Sequence, residues 1–202
     1  MRGRYTGVGV LCAVATTMTL TACGGAAAPV TGAPVSSAAT TTATTAESGA
    51  GPVARCTAAE LGVRLGEKGP ETSPGQETVA LVFTNTSGRA CVASGVPGVD
   101  LQGPPDPNGP TYSVPRPGAG AAQRSYTLDP GASATATLTY LTDTPGSIGS
   151  QGSTGWKPTQ VVTTPPGDTA QLTAAWTLGD TVLRQDEATH PGTFVGPLTA
   201  VR

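Results

Sequence analysis

From residue 77 to 85 the chain reads ETVALVFTN, and Val79, Leu81 and Phe83 fall on one side of an extended backbone. The run ASATATLTYLT, 132–142, repeats the arrangement, with Ala134, Ala136, Leu138 and Tyr140 on one face and Ser133, Thr135, Thr137 and Thr139 on the other. In AQLTAAWTL, 170–178, Leu172, Ala174, Trp176 and Leu178 line up in the same way. A period of two with β-branched polar partners predicts half-buried strands. Shorter strands are expected at 61–65, 98–102, 123–128, 159–163, 181–184 and 193–200. Between them Pro-Gly recurs at 74–75, 97–98, 117–118, 130–131, 145–146, 166–167 and 191–192. Proline presets φ for a turn and glycine supplies the positive φ that a type II turn needs next, so these pairs are expected to punctuate the strands. Many strands without intervening helices predict an all-β fold, a two-sheet antiparallel sandwich. Thr57 and Glu60 have capping-box spacing and predict one short helical turn at 57–61. Two stretches, 103–122 and 144–155, are expected to be long loops.

The first fifty residues follow another pattern. Arg2 and Arg4 precede a weakly apolar run from Val8 to Leu20, the layout of a signal peptide. The run is too short, and too rich in Thr and Gly, for a membrane-spanning helix of about 20 apolar residues. It ends in Leu20-Thr21-Ala22-Cys23, which resembles a bacterial lipobox. The expected chemistry is alkylation of the Cys23 thiol by a diacylglyceryl group and cleavage after Ala22; an ordinary secretory cut with Cys23 incidental is the alternative. Two acyl chains anchor stably where one is marginal. Residues 24–54 are nearly all Ala, Thr, Pro, Ser and Gly, with Glu47 the only charge. Such a stretch buries too little apolar surface to offset its ordering entropy. As a flexible coil it would span about 30 Å, a tether between membrane and domain, its Thr cluster at 40–45 open to O-glycosylation. The expected organisation is a signal peptide at 1–22, a lipidated cysteine and disordered linker at 23–54, and a β-sandwich at 55–202.

Composition narrows the partners. Only 12% of the 202 residues are charged and the formal net charge is -2; with the signal peptide removed, nine basic residues would face thirteen acidic ones. No basic field points to nucleic acid. Four cysteines, Cys12, Cys23, Cys56 and Cys91, allow three pairings, and spacing does not choose among them.

The segments RCTAAELGVRLG (55–66), LVFTNTSGRACVASGVPGVDLQG (81–103), LDPGASATATLTY (128–140), GWKPTQVVTTPPG (155–167) and FVGPLTAV (194–201) together resemble one family. It is the secreted and lipoprotein domain of actinobacteria called domain of unknown function 4232. The resemblance runs in order over 55–202 and is most specific at Asn85-Thr86-Ser87-Gly88, Cys91, Val96-Pro97-Gly98-Val99 and Leu101. It implies an immunoglobulin-like β-sandwich without an assigned activity, and a disulfide between Cys56 and Cys91. The processing expected above agrees, because cleavage removes Cys12 and lipidation occupies Cys23. Disulfides persist outside the membrane. A second cysteine pair, which many such domains carry in the C-terminal half, is missing here. The resemblance supplies no catalytic residues.

Candidate chemistry is sparse. With the signal peptide gone, His190 is the one histidine and no methionine remains, too few soft or imidazole ligands for copper or zinc. Asp106 and Asn108 in PDPNGP provide too few carboxylates for calcium and suit an Asx-type turn better. No Gly-x-Ser-x-Gly elbow occurs, and a Ser-His-Asp arrangement would hang on His190, read as an exposed loop residue. Asp129, Asp143, Asp168 and Asp180 sit where turns want them, which leaves little for a paired-carboxylate hydrolase. Trp156 and Tyr112 are the candidate ligand-binding pair, able to stack on a sugar if exposed; otherwise Trp156 covers one end of the core. Trp176 is expected in the core. Asn85-Thr86-Ser87 matches a glycosylation sequon but reads as a turn, with Asn85 suited to left-handed geometry. The expectation is a non-enzymatic lipoprotein on the extracytoplasmic face of the cell membrane. It would need no cofactor or metal, and its partners would be the membrane, through its lipid, and a cell-wall polymer or another envelope protein. The alternatives are a structural or stress-related envelope protein without a ligand, and a glycan-binding or hydrolytic domain.

Overall fold

A computed structural model describes residues 52–120, 123–144 and 154–201. The signal peptide, Cys23, the Thr cluster, Gly146 and residues 145–153 of the second long loop lie outside the described residues.

Among the described residues twelve strands form: β1 Leu61–Lys68, β2 Gln76–Asn85, β3 Cys91–Ser94, β4 Gly98–Gln102, β5 Thr111–Ser113, β6 Ser125–Leu128, β7 Ser133–Leu141, β8 Thr154–Trp156, β9 Gln160–Thr164, β10 Leu172–Ala175, β11 Val182–Arg184 and β12 Phe194–Ala200. One sheet runs β1-β2-β7-β12 and another β10-β9-β4-β5, with β11-β8 and β3-β6 as two-stranded pieces. Every strand pair is antiparallel. The fold is an all-β antiparallel sandwich.

The alternating runs become the inner faces. On β2 and β7, Val79 sits opposite Leu138, Leu81 opposite Ala136 and Phe83 opposite Ala134. A large side chain beside a small one lets the layer fill without voids. Val99 and Leu101 of β4, Val161 of β9 and Tyr112 of β5 come from the second sheet and join the same cluster. Trp176 closes it edge-on against Tyr140, ring centroids 5.2 Å apart. The alternation in β7 gives way at its end, where Thr139 and Leu141 are buried as well. There the second face is covered too: the Leu141 N–H donates to Thr193 Oγ1 at 3.1 Å, and a Cβ on Gly192 would sit 2.8 Å from the Leu141 side chain.

The structure departs from the sequence reading in several places. Strands β3 and β8 have no counterpart in the alternating pattern, and β5 interrupts the long loop that the sequence predicts at 103–122. These pieces are three or four residues long, too short to show a period of their own. The domain takes hold before residue 55, since the Val92 N–H donates to Ala54 O at 2.8 Å. Of the Pro-Gly glycines, Gly75, Gly118, Gly131 and Gly167 have positive φ. Gly98 instead opens β4, and Gly192 serves close approach to Leu141. Thr57 and Glu60 do frame a 3-10 turn, Ala58–Glu60, with the Thr57 N–H and hydroxyl both donating to the Glu60 carboxylate at 3.0 and 2.9 Å.

Candidate functional site

Cys56 and Cys91 form a disulfide with their Cα atoms 4.9 Å apart. It staples the segment before β1 to β3. Beside it the turn after β2 is built on Asn85, which is fully buried. Its amide donates to Arg89 O at 2.8 Å and Leu128 O at 2.9 Å, and its carbonyl oxygen accepts from the Ser87 N–H at 3.0 Å and hydroxyl at 2.7 Å. No non-glycine residue among those described has positive φ, so Asn85 acts through its side chain and not through left-handed geometry.

Asp168 performs a similar task on the loop after β9. Its carboxylate accepts the N–H of Ala58 at 2.7 Å, and those of Thr169 and Ala170 at 2.6 and 3.1 Å. These three donors hold its acid below the usual carboxylate range, the Ala58 bond contributing most. Arg55 completes the join, donating to Pro166 O at 3.0 Å and Ser94 Oγ at 2.9 Å.

The most elaborate constellation centres on a residue the sequence did not single out. Arg184 ends β11 with its side chain fully buried. Its guanidinium grips Asp186, at 3.0 Å from Nε to Oδ2. It also donates to the carbonyls of Asn108 at 3.0 Å, Gly109 and Thr111 at 2.9 Å, with Asp106 at 3.7 Å. The plane lies 4.9 Å from the Trp156 ring centroid and 5.5 Å from that of Tyr112. The hydrogen bond to Asp186 raises the Arg184 pKa further. Asp106 and Asn108, the weak calcium candidates, therefore belong to an Asx turn, Asn108 N–H to Asp106 Oδ1 at 3.0 Å, that closes on an arginine. Trp156 and Tyr112 are 4% and 2% exposed, and the Trp156 indole donates to Pro104 O at 3.0 Å. Neither ring is open to a sugar, a correction to their expected stacking role that favours Trp156 as a cover over the core. The only sequence hint of the knot is an acid two residues after Arg184.

His190 lies in the loop before β12, exposed, with Nδ1 3.2 Å from Thr189 Oγ1. Among the described residues it is bonded to no serine or carboxylate, and no group of three His, Cys, Asp or Glu is placed to hold a metal ion. Tyr140 donates to Asp180 at 2.7 Å and Lys68 pairs with the same carboxylate at 2.7 Å.

The open surface near these joints is concave. Three neighbouring hollows share Arg116 in their walls. One, about 350 Å³, runs between Arg55, Gly95 and Pro166. A second of about 350 Å³ lies over Asp100 and Ser113. The third, about 520 Å³, is floored by Phe194 and proline rings. A further hollow of about 660 Å³ lies beside Lys157 and Trp176.

A family profile described as a domain of unknown function (DUF4232) matches residues 56–195. A search of the curated proteins finds no match.

Proposed function

We propose, from the premise that this chain belongs to the DUF4232 family, that it is a non-catalytic binding or interaction module of the cell envelope. In this reading Cys23 carries lipid and residues 24–54 tether the sandwich to the outer face of the membrane. The reading draws its main support from how the reactive side chains are used. Arg184, Asp168, Asn85 and Tyr140 are each spent on bonds that fasten loops to the rest of the fold, while the hollows around Arg116 are left open. An enzyme needs its acids and bases free toward a reacting atom.

Native protein crosslinked in the envelope and then captured tests this, alongside retention on purified peptidoglycan and wall polysaccharide. A single specific partner or polymer is the expected result. Capture of nothing above a Cys-stapled control domain would support the other reading, a ligand-free structural protein, which the burial of Trp156 and Tyr112 favours. The anchor has its own readout. The mature protein should begin at Cys23 and carry the added mass of a diacylglyceryl group, and a plain cut without lipid rules the anchor out.

A further inference from the structure

We propose that the hollow at the start of β12 binds an anionic saccharide, the sugar ring resting on Phe194 and the acid group meeting Arg116. The proposal rests on the binding-module reading above and adds to it a site and a ligand class.

The starting observation is an aromatic ring in an unusual place. Phe83, Tyr112, Tyr140, Trp156 and Trp176 all belong to the core cluster. Phe194 and Tyr126 do not, and both are only partly buried, but Phe194 alone of the two lines a hollow. Its ring shares the floor of a hollow of about 520 Å³ with Pro115, Pro117 and Pro191, a volume typical of small-ligand sites. Aromatic and proline rings give flat apolar surface, the complement of the C–H face of a pyranose.

The second observation is a free cation on the rim. Arg116 and Arg124 are exposed, and among the described residues neither guanidinium has a hydrogen bond or ion pair, whereas Arg55, Arg89 and Arg184 are engaged; of the two, only Arg116 lines this hollow. No Asp or Glu lines this hollow. In a chain of net charge -2 this is a locally positive concavity, and a guanidinium fork matches a carboxylate or phosphate in two bonds. The Thr189 hydroxyl and the His190 ring, 3.2 Å apart, add donors and acceptors of the kind sugar hydroxyls use.

A peptide fits less well. Three of the lining residues are prolines without an N–H. The neighbouring edge of β12 is already covered, Val195 donating to Pro115 O at 3.0 Å and Leu198 to Gly95 O at 2.9 Å, so an added strand finds no ladder there.

Calorimetric titration of the full-length protein with trigalacturonic acid, maltotriose and inorganic phosphate tests the proposal. The acidic trisaccharide should bind, and maltotriose and phosphate should each bind at least about tenfold more weakly. Arg116→Glu should weaken the trisaccharide by about tenfold or more, the scale of one lost charge-assisted contact. Phe194→Leu, which keeps apolar bulk, should weaken it by about threefold, and Lys157→Ala should change nothing. Equal binding of maltotriose, equal binding of phosphate, or unaltered binding by both groove variants would each overturn the site. If the envelope capture succeeds equally with wild type and Arg116→Glu, the binding-module reading stands and this assignment falls. If capture fails as well, both fall.

Discussion

Arg184 shows how much one side chain can organise when nothing local marks it. Its partners are Asp186, two residues away, and the carbonyls of Asn108, Gly109 and Thr111, more than seventy residues away. Lysine at this position keeps the charge but loses the planar fork and the stacking between Trp156 and Tyr112. Arg184→Lys is therefore expected to destabilise the domain by about 1–3 kcal/mol, the scale of buried carbonyls left without the donors an ammonium cannot replace, as read by urea unfolding. At Asp168 the argument concerns pH. Its carboxyl is held below the ordinary range by three backbone N–H donors. A depressed acid contributes stability that is full above its unfolded value, about pH 4, and is lost as pH falls through the folded value. The melting temperature of wild type should exceed that of Asp168→Asn at pH 6, and the gap should close as pH falls below about 4. A gap that stays constant would remove the carboxylate from this role.

At the scale of elements, the alternating strands carry the sheets and the short ones carry the joints. β3 pairs with β6, and the disulfide fastens β3 to the segment leading into β1. Closing a loop across a separation of 35 residues restricts the unfolded chain by about 4 kcal/mol in the loop-entropy model. The double variant Cys56→Ala, Cys91→Ala should lose stability of that order, and reduction of the wild type should match it within about 1 kcal/mol. The edge strand β12 protects itself differently. Its register shifts between Val195 and Leu198, where Gly196 and Pro197 lie, and the N–H groups of its outer edge are taken by Pro115 O and Gly95 O, which leaves no ladder for another chain.

For the molecule as a whole, the decisive fact is that both sheets build one cluster. Leu138 of β7 and Leu101 of β4 are fully buried on different sheets yet lie in the same core. Leu138→Ala and Leu101→Ala should each cost about 2–5 kcal/mol and shift a single cooperative transition. Separate transitions seen by tryptophan fluorescence and far-ultraviolet circular dichroism would mean that the sheets unfold independently.

The amino-acid sequence determined the parts of this architecture that local chemistry can encode. Alternation at Val79-Leu81-Phe83 and Ala134-Ala136-Leu138 fixed which faces turn inward, because side chains on a strand alternate with a period of two whatever lies across from them. It also placed the turn glycines at 75, 118, 131 and 167 and the capping pair Thr57 and Glu60. Tertiary structure decided what distant segments do to one another. It buried Trp156 and Tyr112 against Arg184, paired β3 and β8 with strands distant in sequence and β5 with its neighbour β4, and left Phe194 outside the core beside Arg116, whose guanidinium is unengaged among the described residues. Strands of three or four residues have no period to read, and the burial of an aromatic ring depends on which sheet packs over it, which the residues beside it do not specify.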